Sequence, residues 1–516
     1  MRIHFRQVVQ LAVILALGLC IYCCGGGTSD NSPPPPPPPP PPGNAIQVTL
    51  QPAQQFQKWE AWRGTIGGPW FTNASGGDQM LSSTVLNGIL DDLGGDLGIN
   101  GVRFEIGSAQ QLEAVNDDND PNHINWPGFD FAKVYRSNTG EPFTDPVLKF
   151  RDVILPLKDR VRTRGERFYL YVSMFYPKSK VPAFWFNQNG AEYAEMAQAA
   201  ILWLQQQSVP PAGFQAITPD YWVIFNEPDL GKNAFTADDI ATLTTATAAR
   251  FNSQGFPTKI QSTEALNVGS GMIANVLNRA GIAQDLGLIS FHGYDYNSLL
   301  MPPTFTARNA VRTLAQNLSA SQGRTIGTAM TEICCHSGWN GNYNHALGWA
   351  RDIYWNMTEA NISVWEPLSL MFTCAQAGCA SGGQSPVLID TDLQRTFKLA
   401  IYYGLRQFSK YIRPDYVRVG FACTQNCPAP DSTTGEIVKP VAFRSPAGKI
   451  VAVVINDQSA SQSISLLGLP AATYDIVGVD PGNAQSPVTY PAQTIGTGQA
   501  LTVTFPAQGI LTFAQR

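Results

Sequence analysis

From residue 56 to about residue 405 the chain alternates short, nearly continuous apolar runs with longer stretches of helical periodicity. Eight runs read as strands: "FQKWEAWRGTI" (56–66), "NGVRFEIG" (100–107), "RFYLYVSMF" (167–175), "YWVIFNEP" (221–228), "TKIQSTEA" (258–265), "LGLISFHGY" (286–294), "TIGTAMTEICC" (325–335) and "ISVWEPLSL" (362–370). Between them lie helical patterns such as 191–207 and 236–255, the second opening on Thr236 with Asp239 three places on, an N-cap arrangement. Strands that are apolar on both faces and alternate with helices belong in a parallel sheet covered by helices. Eight such units predict a (β/α)8 TIM barrel over 46–407. A doubly wound open sheet is the alternative. It calls for a Gly-rich phosphate loop after the first strand, which "WRGTIGG" does not supply. After residue 408 the period shortens: "KPVAFRS", "KIVAVVIND", "QSISLLGL", "TYDIVGVD", "ALTVTFPAQ" and "ILTFAQ" alternate and are separated by Gly, Pro, Ser and Asp. This predicts an antiparallel β-sandwich side domain over 408–516, which the early strand 46–52 is placed to join.

The amino-terminal end differs from both regions. Residues 1–24 carry Arg2 and Arg6 ahead of an apolar stretch from Val8 to Leu19, the pattern of a signal peptide. Cys20, Cys23 and Cys24 before "GGG" raise lipoprotein-type processing, although the residues before each cysteine fit its cleavage signal poorly, so lipid anchoring stays open. Residues 25–45 form a Pro-rich linker. Its ten consecutive prolines, Pro33–Pro42, are a semi-rigid spacer of roughly 30 Å. The expected location is therefore extracellular or at the cell surface, with membrane attachment only through this end. The six remaining cysteines are even in number, which suits disulfides in an exported chain. Cys374/Cys379 and Cys423/Cys427 are each spaced to close a small loop, whereas the neighbours Cys334 and Cys335 pair with each other or elsewhere. No histidine stands at zinc-ligand spacing from a CxxC, and no metal or other cofactor is expected. With 34 Lys+Arg against 39 Asp+Glu there is no basic stripe, so nucleic acid is not an expected partner. Only 14% of residues are charged while 10% are aromatic, which suits a neutral ligand.

A barrel exposes catalytic groups at the carboxyl ends of its strands. Strand four ends in Asn226-Glu227-Pro228 and strand seven in Thr331-Glu332. Pro228 offers no N–H to a ladder and is expected to end its strand there. Glu60, Glu105, Glu264 and Glu366 are the other strand glutamates. One such glutamate alone is more often an ion pair or a loop cap. Two of them, from strands four and seven, can face each other across the mouth, and glycosidic hydrolysis needs two carboxyl groups across the scissile bond, about 5–5.5 Å apart in a retaining enzyme.

The "FNEPD" and "MTEICC" segments resemble the acid/base and nucleophile motifs of clan A glycoside hydrolases. The distributed features "NGVRFEIG", "NDDNDPNHINWPGFDF" and "FSKYIRPDYVRVG" make the chain, over roughly 46–516, most similar to glycoside hydrolase family 30. The resemblance implies Glu227 as acid/base and Glu332 as nucleophile. It further implies Arg103 as the cation that keeps Glu332 ionised, in place of or beside a salt bridge to Glu105, and Asn226 as a ligand of the sugar 2-hydroxyl. His292 or Tyr294, after strand six, is expected to hydrogen-bond the nucleophile, with no ranking between them. Trp365 on strand eight is a candidate floor for a sugar ring. Trp59, Trp62 and Trp70 near strand one, and Trp126, Trp185 and Trp339 on loops after strands two, three and seven, are candidates for an aromatic rim. The first strand is less Gly-rich than the family pattern, and vicinal cysteines after the nucleophile are unusual for it. The implied protein is a monomeric retaining endo-type β-glycoside hydrolase of a β-linked polysaccharide, with β-1,6-galactan, β-1,6-glucan and xylan as candidates. The rival readings are an exo-acting β-glycosidase of the same clan and a non-catalytic glycan-binding surface protein, which need not keep both carboxylates.

Overall fold

The computed structural model describes residues 44–516 apart from 73–77, 107–117, 133, 136–141, 145, 176, 232, 280, 296–304, 335–339, 374–384, 391–393 and 431–434. The expected signal peptide and most of the Pro-rich linker therefore lie outside the described residues, as do Cys335, Cys374, Cys379 and Trp339. Among the described residues no helix is long and apolar enough to cross a membrane.

All eight expected barrel strands form. They are Ala61–Trp62, Gly101–Ile106, Tyr169–Met174, Tyr221–Val223, Lys259–Ala265, Leu286–Phe291, Gly327–Met330 and Ile362–Trp365, each parallel to its neighbours. The first strand pairs with the eighth. The seam between first and second is closed by the Thr65–Arg103 bridge and by the Arg103 N–H on Gly64 O at 3.0 Å. Helix 237–253 begins on the expected cap: the Thr236 hydroxyl accepts from Asp239 N–H, and the Asp239 carboxylate accepts from Thr236 N–H.

Pro228 does not end the fourth strand. Its ladder stops at Val223, while two further backbone donors still bond outward, Asn226 N–H to Met174 O at 2.8 Å and Glu227 N–H to Glu264 O at 2.9 Å. The chain leaves the barrel at Glu227 itself, whose φ of +44° lies in the left-handed region. Left-handed backbone is costly for a side chain with a Cβ and collects at functional positions.

The barrel interior is layered. Ala61, Leu288, Ala329 and Val364 pack at one end as a small apolar floor. Above them lies a fully buried polar layer. Arg63 Nε donates to Glu366 Oε1 at 2.6 Å, Arg63 Nη2 to Gln261 Oε1 at 3.0 Å, and the Tyr171 hydroxyl to Glu366 Oε2 at 2.5 Å. Room for the Arg63 stem depends on Gly101, where a Cβ would meet Arg63 Cγ at 2.6 Å and Tyr169 O at 2.9 Å. Burial raises the pKa of Glu366, Arg63 and Tyr171 pull it back, and the balance leaves it at about 7.

The carboxy-terminal region forms a nine-stranded sheet in the order 488–495, 472–479, 510–515, 450–456, 438–444, 417–425, 46–58, 462–467, 501–505. Strand Ile46–Lys58 lies within it, between 417–425 and 462–467. Residues from strands far apart in that order, such as Tyr474, Ile464 and Phe505, share one core with Val48 and Phe513, so the sheet folds face to face as a sandwich. It is not wholly antiparallel: residues 46–49 run parallel to 464–467. A strand arriving from before the barrel has no hairpin partner to dictate its direction. Cys423 and Cys427 form the expected disulfide. Cys334 is also disulfide-bonded.

Candidate active site

Five strand ends bring their side chains to one point at the barrel mouth. Arg103 comes from the second strand. Asn226 and Glu227 follow the fourth, Glu264 lies in the fifth, His292 and Tyr294 follow the sixth, and Glu332 follows the seventh. Asn226, Glu227, Glu332 and His292 are all at most 7% exposed.

Glu332 is held through both oxygens. Oε2 accepts from Arg103 Nη1 at 2.7 Å and Oε1 from the Tyr294 hydroxyl at 3.0 Å. Arg103 is fully buried, and its other nitrogens reach Ser173 Oγ at 3.4 Å, the Asn226 side-chain oxygen, and Glu105 Oε1 at 3.6 Å. The two readings of Arg103 therefore coexist: it binds Glu332 closely and Glu105 more loosely. Burial works against its charge, yet Tyr171, Glu332, Glu264 and Glu105 keep its pKa well above the usual arginine value.

His292 faces Glu227 rather than Glu332. Its Nδ1 lies 3.0 Å from Glu227 Oε1 and 3.8 Å from Glu332 Oε1, while Nε2 lies 3.3 Å from Glu264 Oε2. That resolves the choice left open between His292 and Tyr294: the tyrosine bonds Glu332 and the histidine bonds Glu227. A ring protonated at both nitrogens donates to Glu227 Oε1 and Glu264 Oε2, and Glu227 can still carry its own proton on Oε2. Burial pulls its pKa down, but Glu332, Glu227 and Glu264 outweigh that and raise it to about 10. Glu264 is the residue the sequence reading passed over. It is fully buried at φ +53° and accepts from Gln261 Nε2 at 2.6 Å and Thr331 Oγ1 at 2.7 Å. Burial alone would raise its pKa; His292 and Arg103 win and hold it well below the usual carboxylate range. The available signal was its place at the end of the fifth strand, the same position that singled out Glu227 and Glu332.

One side-chain atom from each of Glu227, His292 and Glu332 lies within 4.8 Å of the other two. Such a trio has the composition of a metal site, but the donor set argues otherwise. An imidazolium has no lone pair to offer, and the Glu332 oxygen that faces His292, Oε1, already accepts from the Tyr294 hydroxyl. Asn226 Nδ2 is buried without a hydrogen-bond partner and stands next to the two carboxylates, a donor waiting for an acceptor.

The aromatic expectations fare differently. Trp365 is fully buried with its indole N–H on Asp352 Oδ2 at 2.8 Å, and it packs edge-on against Trp62 and Trp349. It lies in the layer between barrel and helices, on the opposite face of its strand from Glu366, and offers no face to a sugar. Trp185 is likewise fully buried, against Tyr193 and Phe225. The physical reason is size: a tryptophan buries roughly 200 Å², worth on the order of 5 kcal/mol, which holds an indole in any core that can accommodate it. Trp59 and Trp62 are also core, and Trp126 is half-buried against Phe129. Among the described residues, Phe175, 46% accessible directly after the third strand, and Phe372, 59% accessible after the eighth, are exposed aromatics on segments that follow barrel strands.

A parallel eight-stranded barrel with two close carboxylates at its carboxyl end presents the pair of groups that glycosidic hydrolysis needs. Residues 417–513 match the glycosyl hydrolase family 30 beta sandwich domain. The chain shares its fold with the catalytic domain of GH30 xylanase C from Talaromyces cellulolyticus, at 18% identity and a TM-score of 0.63, covering 91% of this chain and 100% of that one. A GH30 endoxylanase from Clostridium papyrosolvens C71 aligns at 17% identity and a TM-score of 0.58, over 91% and 100%. An endo-β-1,6-glucanase aligns at 14% and 0.59, over 91% and 93%. No curated protein sequence matches the chain.

Proposed function

We propose that this protein is an exported retaining β-glycoside hydrolase that cuts within a β-linked polysaccharide. The observation that carries the reading is the closeness of Glu227 and Glu332, whose facing oxygens lie within 4.8 Å. Oxygens this close favour the separation of a retaining pair over the wider one of an inverting pair. In the proposed cycle Glu332 attacks the anomeric carbon while Glu227 gives its proton to the leaving oxygen, breaking the glycosidic bond. Water, deprotonated by Glu227, then displaces Glu332. Arg103 and Tyr294 aim the Glu332 oxygens, His292 orients Glu227, and Asn226 Nδ2 is positioned to donate to the sugar 2-hydroxyl, a bond that strengthens in the transition state. Phe175 offers a face for stacking. Xylan and β-1,6-glucan are the first substrates to test because structures of like fold are named for them, with β-1,6-galactan third. The signal-peptide pattern and the proline spacer support action outside the cell.

Product analysis with wild type and Glu332→Gln on these polysaccharides tests the reading. Internal cleavage by wild type alone, with newly released ends first appearing in the β configuration, is the expected result. Release of α ends would overturn the retaining mechanism, and binding without cleavage would move the protein to a glycan-binding role.

A further inference from the structure

Successive residues of a strand alternate between its faces, so Gln261 and Glu264, three apart in strand Lys259–Ala265, should point to opposite sides. They do not. The pairing register shifts between Thr263 and Ala265, and Glu264 takes a left-handed φ of +53°. This departure brings the Glu264 side chain beside Gln261, whose Nε2 donates to Glu264 Oε1 at 2.6 Å. Both residues are fully buried. Left-handed backbone at a residue with a Cβ persists only where its surroundings hold it, and it collects at functional positions.

The direction of the Gln261 amide is set from the polar layer beneath it. Arg63 has donors only, and its Nη2 bonds Gln261 Oε1 at 3.0 Å, which turns the Gln261 NH2 toward Glu264. Arg63 is fixed in turn by Glu366 Oε1 at 2.6 Å and lies 4.4 Å from the Tyr171 ring centroid. Thr331 Oγ1 supports the same Glu264 oxygen at 2.7 Å. From Glu264 two routes lead to Glu227. Oε2 lies 3.3 Å from His292 Nε2, and His292 Nδ1 lies 3.0 Å from Glu227 Oε1. The Glu264 backbone carbonyl accepts from Glu227 N–H at 2.9 Å. Buried groups thus form an unbroken chain from Glu366 through Arg63, Gln261, Glu264 and His292 to Glu227. Gln261 is the link that brings no charge of its own, so what it supplies is direction. A buried amide is costly unless both ends are paired, and here both are.

We propose that Gln261 is a positioning residue for the acid/base: oriented by Arg63, its amide holds Glu264 on His292 and so sets the direction in which Glu227 presents its carboxyl to the leaving oxygen. The inference rests on the retaining mechanism proposed above. Gln261 makes no hydrogen bond to Glu227 or Glu332 and acts through Glu264.

The test is Gln261→Met, which keeps the length of the side chain and removes both amide contacts. Two substrates separate the roles. The leaving sugar of a polysaccharide must be protonated, whereas the leaving group of a dinitrophenyl glycoside of the same sugar departs as an anion without an acid. In the variant kcat/KM should fall about tenfold on the polysaccharide and change by less than about twofold on the dinitrophenyl glycoside. Arg63→Lys keeps a cation against Glu366 but gives up the fork to Gln261, and should shift the ratio of the two in the same direction; it carries the comparison where Gln261→Met fails to fold. Equal losses on both substrates, as a merely structural role would give, or no loss on either, would overturn the proposal. A second readout needs no activity. The Nε2–H proton resonance of His292, assigned by its absence in His292→Gln, should move in Gln261→Met. A wild type that cleaves neither substrate would overturn the hydrolase reading and with it the role of Gln261, whereas an active wild type with an unmoved His292 resonance in the variant would overturn this inference alone.

Discussion

Replacing Glu264 with Gln keeps the shape of the residue that holds His292 Nε2 and removes its charge. The imidazole stands at about 10 in place of 6.5, a preference for the charged form of ~5 kcal/mol. Burial opposes it, and three carboxylates supply it. A charge-assisted hydrogen bond contributes about 1.5–3 kcal/mol, so losing the one to Glu264 should bring His292 down to about 8–9. The direct assay is the nitrogen NMR signature of the ring. The chain has only 5 histidines, so the His292 signal can be assigned by its absence in His292→Gln. Wild type should remain imidazolium through pH 9, and Glu264→Gln should turn neutral at least about one pH unit earlier. Stability gives a second readout. A value raised above that of an unfolded imidazole means that the contribution of His292 is fully present below about pH 6.5 and fades as pH climbs toward 10. Denaturation midpoints should therefore fall across that interval in wild type, and the fall should begin at lower pH in the variant. A neutral His292 at pH 7 in wild type, or identical titrations in the two proteins, would refute the claim that the three surrounding carboxylates, Glu264 among them, fix the ring as a cation.

Three further outcomes follow from the geometry. Asn226→Ala removes the open Nδ2 donor and an Arg103 acceptor, and should lower kcat about a hundredfold with little change in KM, measured on the substrate found by product analysis; an effect confined to KM would place Asn226 in ground-state binding only. Asp457→Asn leaves Arg351 and Lys439 buried against a neutral amide between helix 343–355 and the sandwich, and should cost about 3–5 kcal/mol in urea unfolding; a cost under about 1 kcal/mol would mean that water reaches the cluster. Trp365→Phe strips Asp352 of its indole donor, and should cost about 1–3 kcal/mol of stability while leaving KM for polysaccharide unchanged; a raised KM at unchanged stability would restore Trp365 to the sugar site.

What the sequence could show of this protein tracks how each signal is made. Barrel strands are buried on both faces, so their apolar runs are written locally, and all eight were legible down to the Thr236 cap that starts helix 237–253. The two carboxylates were legible for a related reason: a glutamate at the end of such a run interrupts it. Glu264 carries the same interruption, yet its importance depends on His292 arriving from the next strand and Arg103 from across the barrel, and no local pattern records those meetings. Tryptophans mislead in the opposite direction. An indole suits a sugar face and a core equally well, and the choice between them is made by whether Trp62 and Trp349 close over Trp365, which is a fact of packing. The end of the fourth strand shows the limit most sharply. Pro228 is a true strand breaker by its chemistry, but Glu227 turns the chain first, with left-handed backbone sustained by the Glu264 carbonyl on its N–H and by the Asn233 amide on its C=O at 2.7 Å. Strain of this kind persists only where surrounding contacts over-determine it. Here those contacts come from the fifth strand and the following loop, and they aim the Glu227 side chain at Glu332.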